Sequence, residues 1–308
     1  MNPYKYPPVS PRFNLQLKEK NGRWLHYKVN FPIASPTSYK EHNTALGDYF
    51  QPAEGNEWPL AILIHGWGDR SLMPCRLLAK DPAKRGTASF VLHTVFHSTR
   101  MPPEIKRRAP NLTADEWFKG YQTSVIDVRQ TVDWAQSNRA IRQDKIAVIG
   151  VSLGGIISAI SMAVDKRIRA GVILIAGGNY ENPAWLKKTG NKKTEAEYAE
   201  GQRMYQQYLA EVAEKGFDQV EPPKRSYLTD PVTFAGSLRN RPVLMLNALL
   251  DERIPRKSTI DLWEAAGKPV IKWLPGTHSS VWLLYPRIRN EVLDFLSSAF
   301  TIKQHGFQ

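Results

Sequence analysis

Three residues far apart in the chain could together cleave an acyl bond: a serine on a glycine-flanked turn, and an aspartate and a histidine downstream of it. The serine is Ser152, in Gly150-Val-Ser-Leu-Gly-Gly155. The apolar run Ile146 to Ile149 before it reads as a buried strand, and the small-residue apolar segment after it reads as a helix. Strand, tight turn and helix around a G-x-S-x-G pentapeptide are the setting of a nucleophile elbow. A serine at so sharp a turn holds a strained backbone that only its surroundings can maintain. Strand and helix nearly touch two positions to either side, so Gly150 and Gly154 meet a steric demand, and Gly155 lets the helix come closer still. Taken alone, the pentapeptide also suits an ordinary glycine-rich bend in which Ser152 only caps the helix.

A serine nucleophile needs a base, and the base needs an orienting acid. Of the seven histidines, only His278 and His305 follow the elbow. His305 sits in a polar tail and is a poor candidate, whereas His278 lies in Leu274-Pro-Gly-Thr-His278, a loop after the last predicted strand. The acid should end the preceding strand, and Asn247-Ala-Leu-Leu-Asp251 puts Asp251 there, with Glu252 beside it and Asp230 as weaker alternatives. The expected triad is therefore Ser152, Asp251 and His278. A tetrahedral intermediate also needs two preorganised donors. One is the backbone N–H of Leu153, and the other is assigned to Trp67 in His65-Gly-Trp-Gly-Asp69, with Gly66 as the alternative and His65 holding the loop. Trp67, His97 and Tyr180 are expected to line the substrate site. Arg100 and Lys106-Arg107-Arg108 could steer an anionic group, but read more simply as a solvated loop.

These residues need elements to position them. Phe13 to Lys20 and Arg23 to Asn30 alternate apolar and polar around Asn21-Gly22, which predicts a hairpin with a type I′ turn. Thr44 to Gln51 and Trp58 to His65 read as further strands. From there strand and helix alternate: a helix over Met73 to Lys80, strands at Ser89 to Phe96, Gly171 to Ala176, Pro242 to Ala248 and Pro269 to Leu274, and helices over Asp115 to Ser137, Ser258 to Ala266 and Val281 to Ala299. Such alternation implies right-handed βαβ units and a mostly parallel sheet covered on both faces. The expected fold class is α/β, with antiparallel N-terminal strands. Residues 1–43 are an arm and hairpin, the arm carrying four prolines and expected to be irregular and partly mobile. Residues 44–179 and 231–303 form the core. Residues 180–230 form a helical cap insertion over the sheet's carboxyl edge, its tyrosines shaping a substrate pocket.

Composition sets the outer bounds. The chain has 308 residues, 42% of them hydrophobic and 23% charged, which describes a folded globular protein. No apolar run approaches the ~18 residues of a membrane span, and no segment resembles a signal peptide. The single cysteine excludes an intramolecular disulfide. Together these point to the cytoplasm. The net charge of +13 is scattered, with no basic repeat and no nucleic-acid motif, so an anionic substrate or solubility explains it more simply than nucleic acid does.

Leu63-Ile-His-Gly-Trp-Gly-Asp69, Gly150-Val-Ser-Leu-Gly-Gly155, Leu250-Asp-Glu-Arg-Ile-Pro255 and Pro275-Gly-Thr-His278 resemble motifs of the α/β-hydrolase superfamily, closest to its dienelactone-hydrolase-like and prolyl-oligopeptidase-like esterase branch. The resemblance covers roughly residues 44–300. It implies an α/β-hydrolase core and an acyl-serine intermediate hydrolysed by water that His278 activates, with no metal and no cofactor. The dienelactone hydrolases proper carry a cysteine nucleophile where this chain has serine, so it looks more like a carboxylesterase acting on a small-molecule ester. Peptidase, amidase, thioesterase and acyltransferase chemistry would use the same three residues; a non-catalytic binding protein on the same fold would commonly lack one of them.

Overall fold

The computed structural model describes residues 2–7, 12–68, 72–109, 111–188, 190 and 193–301. His305 and Asp69 lie outside the described residues. Among those described, nine strands form one sheet: β1 (Asn14–Lys20), β2 (Trp24–Pro32), β3 (Thr44–Pro52), β4 (Trp58–Ile64), β5 (Ala88–His93), β6 (Ile141–Val151), β7 (Ile168–Leu174), β8 (Val243–Ala248) and β9 (Val270–Leu274). Their spatial order is β1-β2-β3-β5-β4-β6-β7-β8-β9. β1, β2 and β3 pair antiparallel with their neighbours, and every pairing from β5 through β9 is parallel. The helices are α1 (Leu72–Ala83), α2 (Pro103–Arg108), α3 (Ala114–Ser137), α4 (Leu153–Val164), α5 (Pro183–Lys188), α6 (Glu195–Lys215), α7 (Pro231–Phe234), α8 (Arg256–Ala265) and α9 (Tyr285–Thr301).

Side chains alternate faces along a strand, and here both faces are covered, so the central strands are apolar throughout. Leu60, Ile62 and Ile64 of β4 and Ile146 and Val148 of β6 join one core with α3 and α4. Ala61, Leu63, Ala147 and Ile149 join a second core with α1 and α9. The expected α/β architecture and the antiparallel start of the sheet are what the structure has.

Several local expectations need correction. The hairpin forms, but neither Asn21 nor Gly22 takes a left-handed φ. Instead the Asn21 carboxamide oxygen accepts the N–H groups of Arg23 and Trp24, an Asx turn that reverses the chain without glycine's freedom. The proline-rich arm is docked over residues 2–7 rather than loose. Tyr4 is fully buried, its hydroxyl donates to Leu228 O, Gln122 donates to Pro3 O, and the Tyr6 hydroxyl donates to Asp133. Two tyrosine rings anchor what four prolines suggested was free. The last helix starts at Tyr285, later than expected, after a 3-10 turn over Ser280–Leu284. Pro286 at its second position lacks an N–H that the first turn would leave unused.

Residues 180–230 hold α5, α6 and a short 3-10 segment, with no strand among the described residues. Tyr198, Tyr205, Tyr208 and Tyr227 turn inward. Tyr205, Tyr208 and Tyr227 are buried with ring centroids 4.5–6.4 Å apart. Buried Glu181, at the start of the segment, receives Lys224 and the Tyr227 hydroxyl, which ties its two ends together. These rings join the same core as α3, α4 and α7, so they tie the segment to the body of the fold. No helix among the described residues is long and apolar enough to cross a membrane.

Arg100 is neither solvated nor available to a ligand. It is fully buried and donates to Asp127 (2.6 Å), to His93 O and to His42 O, fixing the loop after β5 onto α3. Breaking a buried ion pair from one side leaves a charge without compensation, at a cost of about 3–5 kcal/mol. Arg100→Met should therefore lower urea-unfolding stability by about that amount, and Arg100→Met with Asp127→Leu should recover most of it. A single-variant loss below about 1 kcal/mol would contradict this account of the loop.

Candidate active site

Ser152 sits between β6 and α4 with φ 55 and ψ −117, a conformation costly for any residue but glycine. The surrounding backbone explains why it persists. A Cβ on Gly150 would lie 2.1 Å from Gly154 O, and one on Gly154 would lie 2.0 Å from Ile64 O and 2.6 Å from His65 O. A Cβ on Gly155 would lie 2.7 Å from that of Ala176. The first turn of α4 is thus pressed onto the ends of both β6 and β4. Ser152 N–H donates to Leu174 O at 2.8 Å, pinning the turn to β7 as well. Leu153 is the first residue of α4, and an N–H at that position has no acceptor within its own helix.

The structure brings the three expected side chains into line. His278 Nε2 lies 3.0 Å from Ser152 Oγ, and His278 Nδ1 lies 2.9 Å and 3.0 Å from the two oxygens of Asp251. A carboxylate only accepts, so Nδ1 carries the proton and Nε2 is left to accept from the serine hydroxyl. The side chains of His278 and Asp251 are each 8% exposed, which shields their attraction from water. Burial pushes the Asp251 carboxyl upward, but the bonds from His278 and from the N–H groups of Ile254 and Arg253 outweigh it and hold the group below its ordinary range. Glu252 takes a different part: its Oε2 accepts the backbone N–H of His278 at 2.9 Å, which orients the loop rather than the ring. Asp230 is buried elsewhere, accepting the N–H groups of Asn179, Tyr180 and Val232. Burial raises its carboxyl to about 6 against those three donors.

His65 is fully buried at the end of β4. Its Nε2 accepts the Thr94 N–H at 3.0 Å, so Nδ1 is protonated and donates to Gly66 O at 2.6 Å. This ring clamps the loop that leads into Trp67. The Trp67 side chain is partly exposed and packs on Phe96 and Trp117, with centroids 5.5 Å and 5.0 Å away. His97 is buried behind the same loop, its ring 5.2 Å from those of both His65 and His93. Tyr180 is partly exposed, with its hydroxyl bonded to Thr229 O and to the Tyr121 hydroxyl, so only its ring is left to offer.

Sequence reasoning missed the supports beneath these groups. Thr94 holds His65, and Asp48 of β3 is a fully buried carboxylate serving His93, His26, Lys28 and Arg76. Burial raises the Asp48 carboxyl, but its four donors overcome that and hold it far below the ordinary range. The one signal in the sequence was an aspartate flanked by apolar residues, Ala45-Leu-Gly before it and Tyr49-Phe after it, within a predicted strand.

Residues 35–182 match the family model described as alpha/beta hydrolase domain containing 18. No curated protein matches the chain in sequence. Solved structures do match in fold. An acetyl xylan esterase from Paenibacillus sp. R4 is 17% identical over 95% of this chain and 89% of its own, with a TM-score of 0.65. Acetyl xylan esterase 1 from Thermoanaerobacterium sp. JW/SL YS485 is 16% identical over 93% and 89%, at 0.60. A cold-adapted esterase from an Arctic intertidal metagenomic library is 16% identical over 92% and 99%, at 0.58. The fold is therefore that of the α/β hydrolases.

Two measurements check the local physics. Gly154→Ala should lower stability by about 1–3 kcal/mol, because the methyl group meets backbone that cannot yield; an unchanged unfolding midpoint would contradict the close approach of α4 to β4. Burial also lowers the His65 imidazole to about 3, so between about pH 3 and its ordinary value near 6.5 the folded protein binds fewer protons than the unfolded chain. The stability from neutral His65 is complete above about pH 6.5 and is lost as pH falls toward 3. In urea titrations, His65→Gln should lose less stability than the wild type between pH 6.5 and 4; parallel curves would contradict a buried neutral His65.

Proposed function

We propose that this chain, built on the α/β-hydrolase fold, is a serine hydrolase that cleaves carboxylic esters through an acyl-serine intermediate. The observation that carries the reading is the unbroken line from Asp251 through His278 to Ser152, with both hydrogen bonds near 3 Å. In the first half-reaction His278 Nε2 takes the Ser152 proton as Oγ attacks the ester carbonyl, and Asp251 stabilises the imidazolium that forms. The carbonyl oxygen gathers negative charge, for which the N–H groups of Leu153 and Trp67 are the assigned donors. Support for that pair comes from the contact of α4 with the end of β4, which sets the two chain segments side by side. His278 then returns the proton to the departing alcohol. In the second half-reaction it draws a proton from water as the water attacks the acyl-serine, and it returns that proton to Ser152 Oγ as the bond from Oγ to the acyl carbon breaks and frees the acid. Trp67 and the ring of Tyr180 are proposed to border the substrate, while His97 positions the Trp67 loop from behind. Residues 180–230 are proposed as a unit inserted into the core of 44–179 and 231–303.

The reading is tested with a fluorophosphonate probe and p-nitrophenyl acetate. The probe should label the wild type and not Ser152→Ala. Turnover should fall by about 10³-fold or more in His278→Ala, and by a comparable factor in Asp251→Asn, which leaves the imidazole in the wrong tautomer. A wild type that neither labels nor hydrolyses the ester would sink the proposal; turnover surviving in His278→Ala would displace the base.

A further inference from the structure

Beside the Trp67 loop lies a pocket of about 350 Å³ that the catalytic line does not use, large enough for a small organic group. Trp67, Phe96 and Met101 give it an apolar wall, and Lys106 and Ala109, from α2 and its end, form its rim. Trp67 belongs to both places: its N–H is the proposed oxyanion donor, and its side chain lines this pocket. On that reading, a substrate whose carbonyl sits at the Trp67 N–H can extend along the Trp67 side chain into the pocket. The rim is positive. Arg108, two residues on, is already committed to Glu116, but no carboxylate among the described residues pairs with Lys106. An apolar wall ending at an ammonium with no carboxylate partner among the described residues suits a chain that is hydrophobic along its length and anionic at its tip.

We propose that this pocket holds the acyl chain of a half-ester of a dicarboxylic acid, with the methylenes along Trp67, Phe96 and Met101 and the free carboxylate at Lys106. This deepens the hydrolase reading and rests on it for the reaction. Attack by Ser152 forms the acyl-serine and releases the alcohol, and water then frees the dicarboxylate, so no reactant beyond ester and water is needed. The preference is modest in size, because an ion pair at a rim is partly screened.

The test compares p-nitrophenyl hemiglutarate with p-nitrophenyl valerate, which have equal acyl length and differ in the terminal carboxylate. The wild type should favour the hemiglutarate by about three- to tenfold in kcat/KM. Lys106→Gln should bring that ratio near one and Lys106→Glu should invert it. Lys84→Gln, which removes a charge at the far end of the sheet, should keep it. Calorimetric titration of Ser152→Ala with the same two esters reads the pocket without turnover, and the affinity ratio should follow the same pattern. Equal binding of the two esters, or a Lys106→Gln protein that keeps the preference, overturns the pocket assignment even if both esters are hydrolysed. Hydrolysis of neither ester nor of p-nitrophenyl acetate, with no fluorophosphonate labelling but with the binding preference present and lost in Lys106→Gln, overturns the hydrolase reading and leaves the pocket assignment standing.

Discussion

The structure turns on a single steric constraint: three backbones, those of β4, β6 and the first turn of α4, meet with no room for a Cβ between them. Gly150 and Gly154 are the contact points, where an added methyl group would fall about 2 Å from a carbonyl oxygen. That closeness forces the chain to reverse within one residue, and Ser152 is the residue that takes the strain. Strain of this kind costs roughly 1–3 kcal/mol and persists only where packing over-determines it. Here two buried cores, one on each face of the sheet, supply the packing. The outcome is a hydroxyl lifted off the strand end and a helix terminus aimed at the same space.

From that point the remaining parts are set by sheet order. β8 lies two strands from β6 and β9 lies beyond it, so loops leaving their carboxyl ends can reach back toward the elbow. Asp251 and His278 come from those loops. On the other side β4 adjoins β6 directly, which brings the His65-to-Trp67 loop to the helix start. A parallel sheet gathers all these loops on one edge, so residues far apart in the chain converge without any long connection. Supports then fix each loop: Thr94 and Gly66 O for His65, Glu252 for the His278 backbone, Arg100 with Asp127 for the segment after β5.

What the sequence made legible follows the same division. Strands buried on both faces are continuous apolar runs, so β4, β6, β7 and β8 could be read directly. The elbow was readable because its glycines answer a local steric demand, and Ser152, Asp251 and His278 because each ends a predicted strand. Interactions between distant elements left no such trace. Arg100 looked like one more basic loop residue, since nothing in its spacing announces Asp127 on α3. The arm looked free because prolines are visible locally, whereas the site that buries Tyr4 exists only after folding. The Asn21-Gly22 turn was misjudged because a side-chain oxygen can reverse the chain as well as a left-handed backbone can. The tyrosines of α6 could not show in sequence that Tyr205 and Tyr208 join the core formed with α3, α4 and α7, because those partners come together only on folding.

The central claim is that Ser152 itself becomes acylated. Turnover of p-nitrophenyl acetate quenched in acid within the first cycles, followed by peptide mapping by mass spectrometry, tests it most directly. The account predicts one acetyl group on the peptide containing Ser152, appearing with the first burst of nitrophenolate and absent from His278→Ala. Active enzyme whose acetyl group sits on another residue, or never accumulates even when deacylation is slowed, would contradict it.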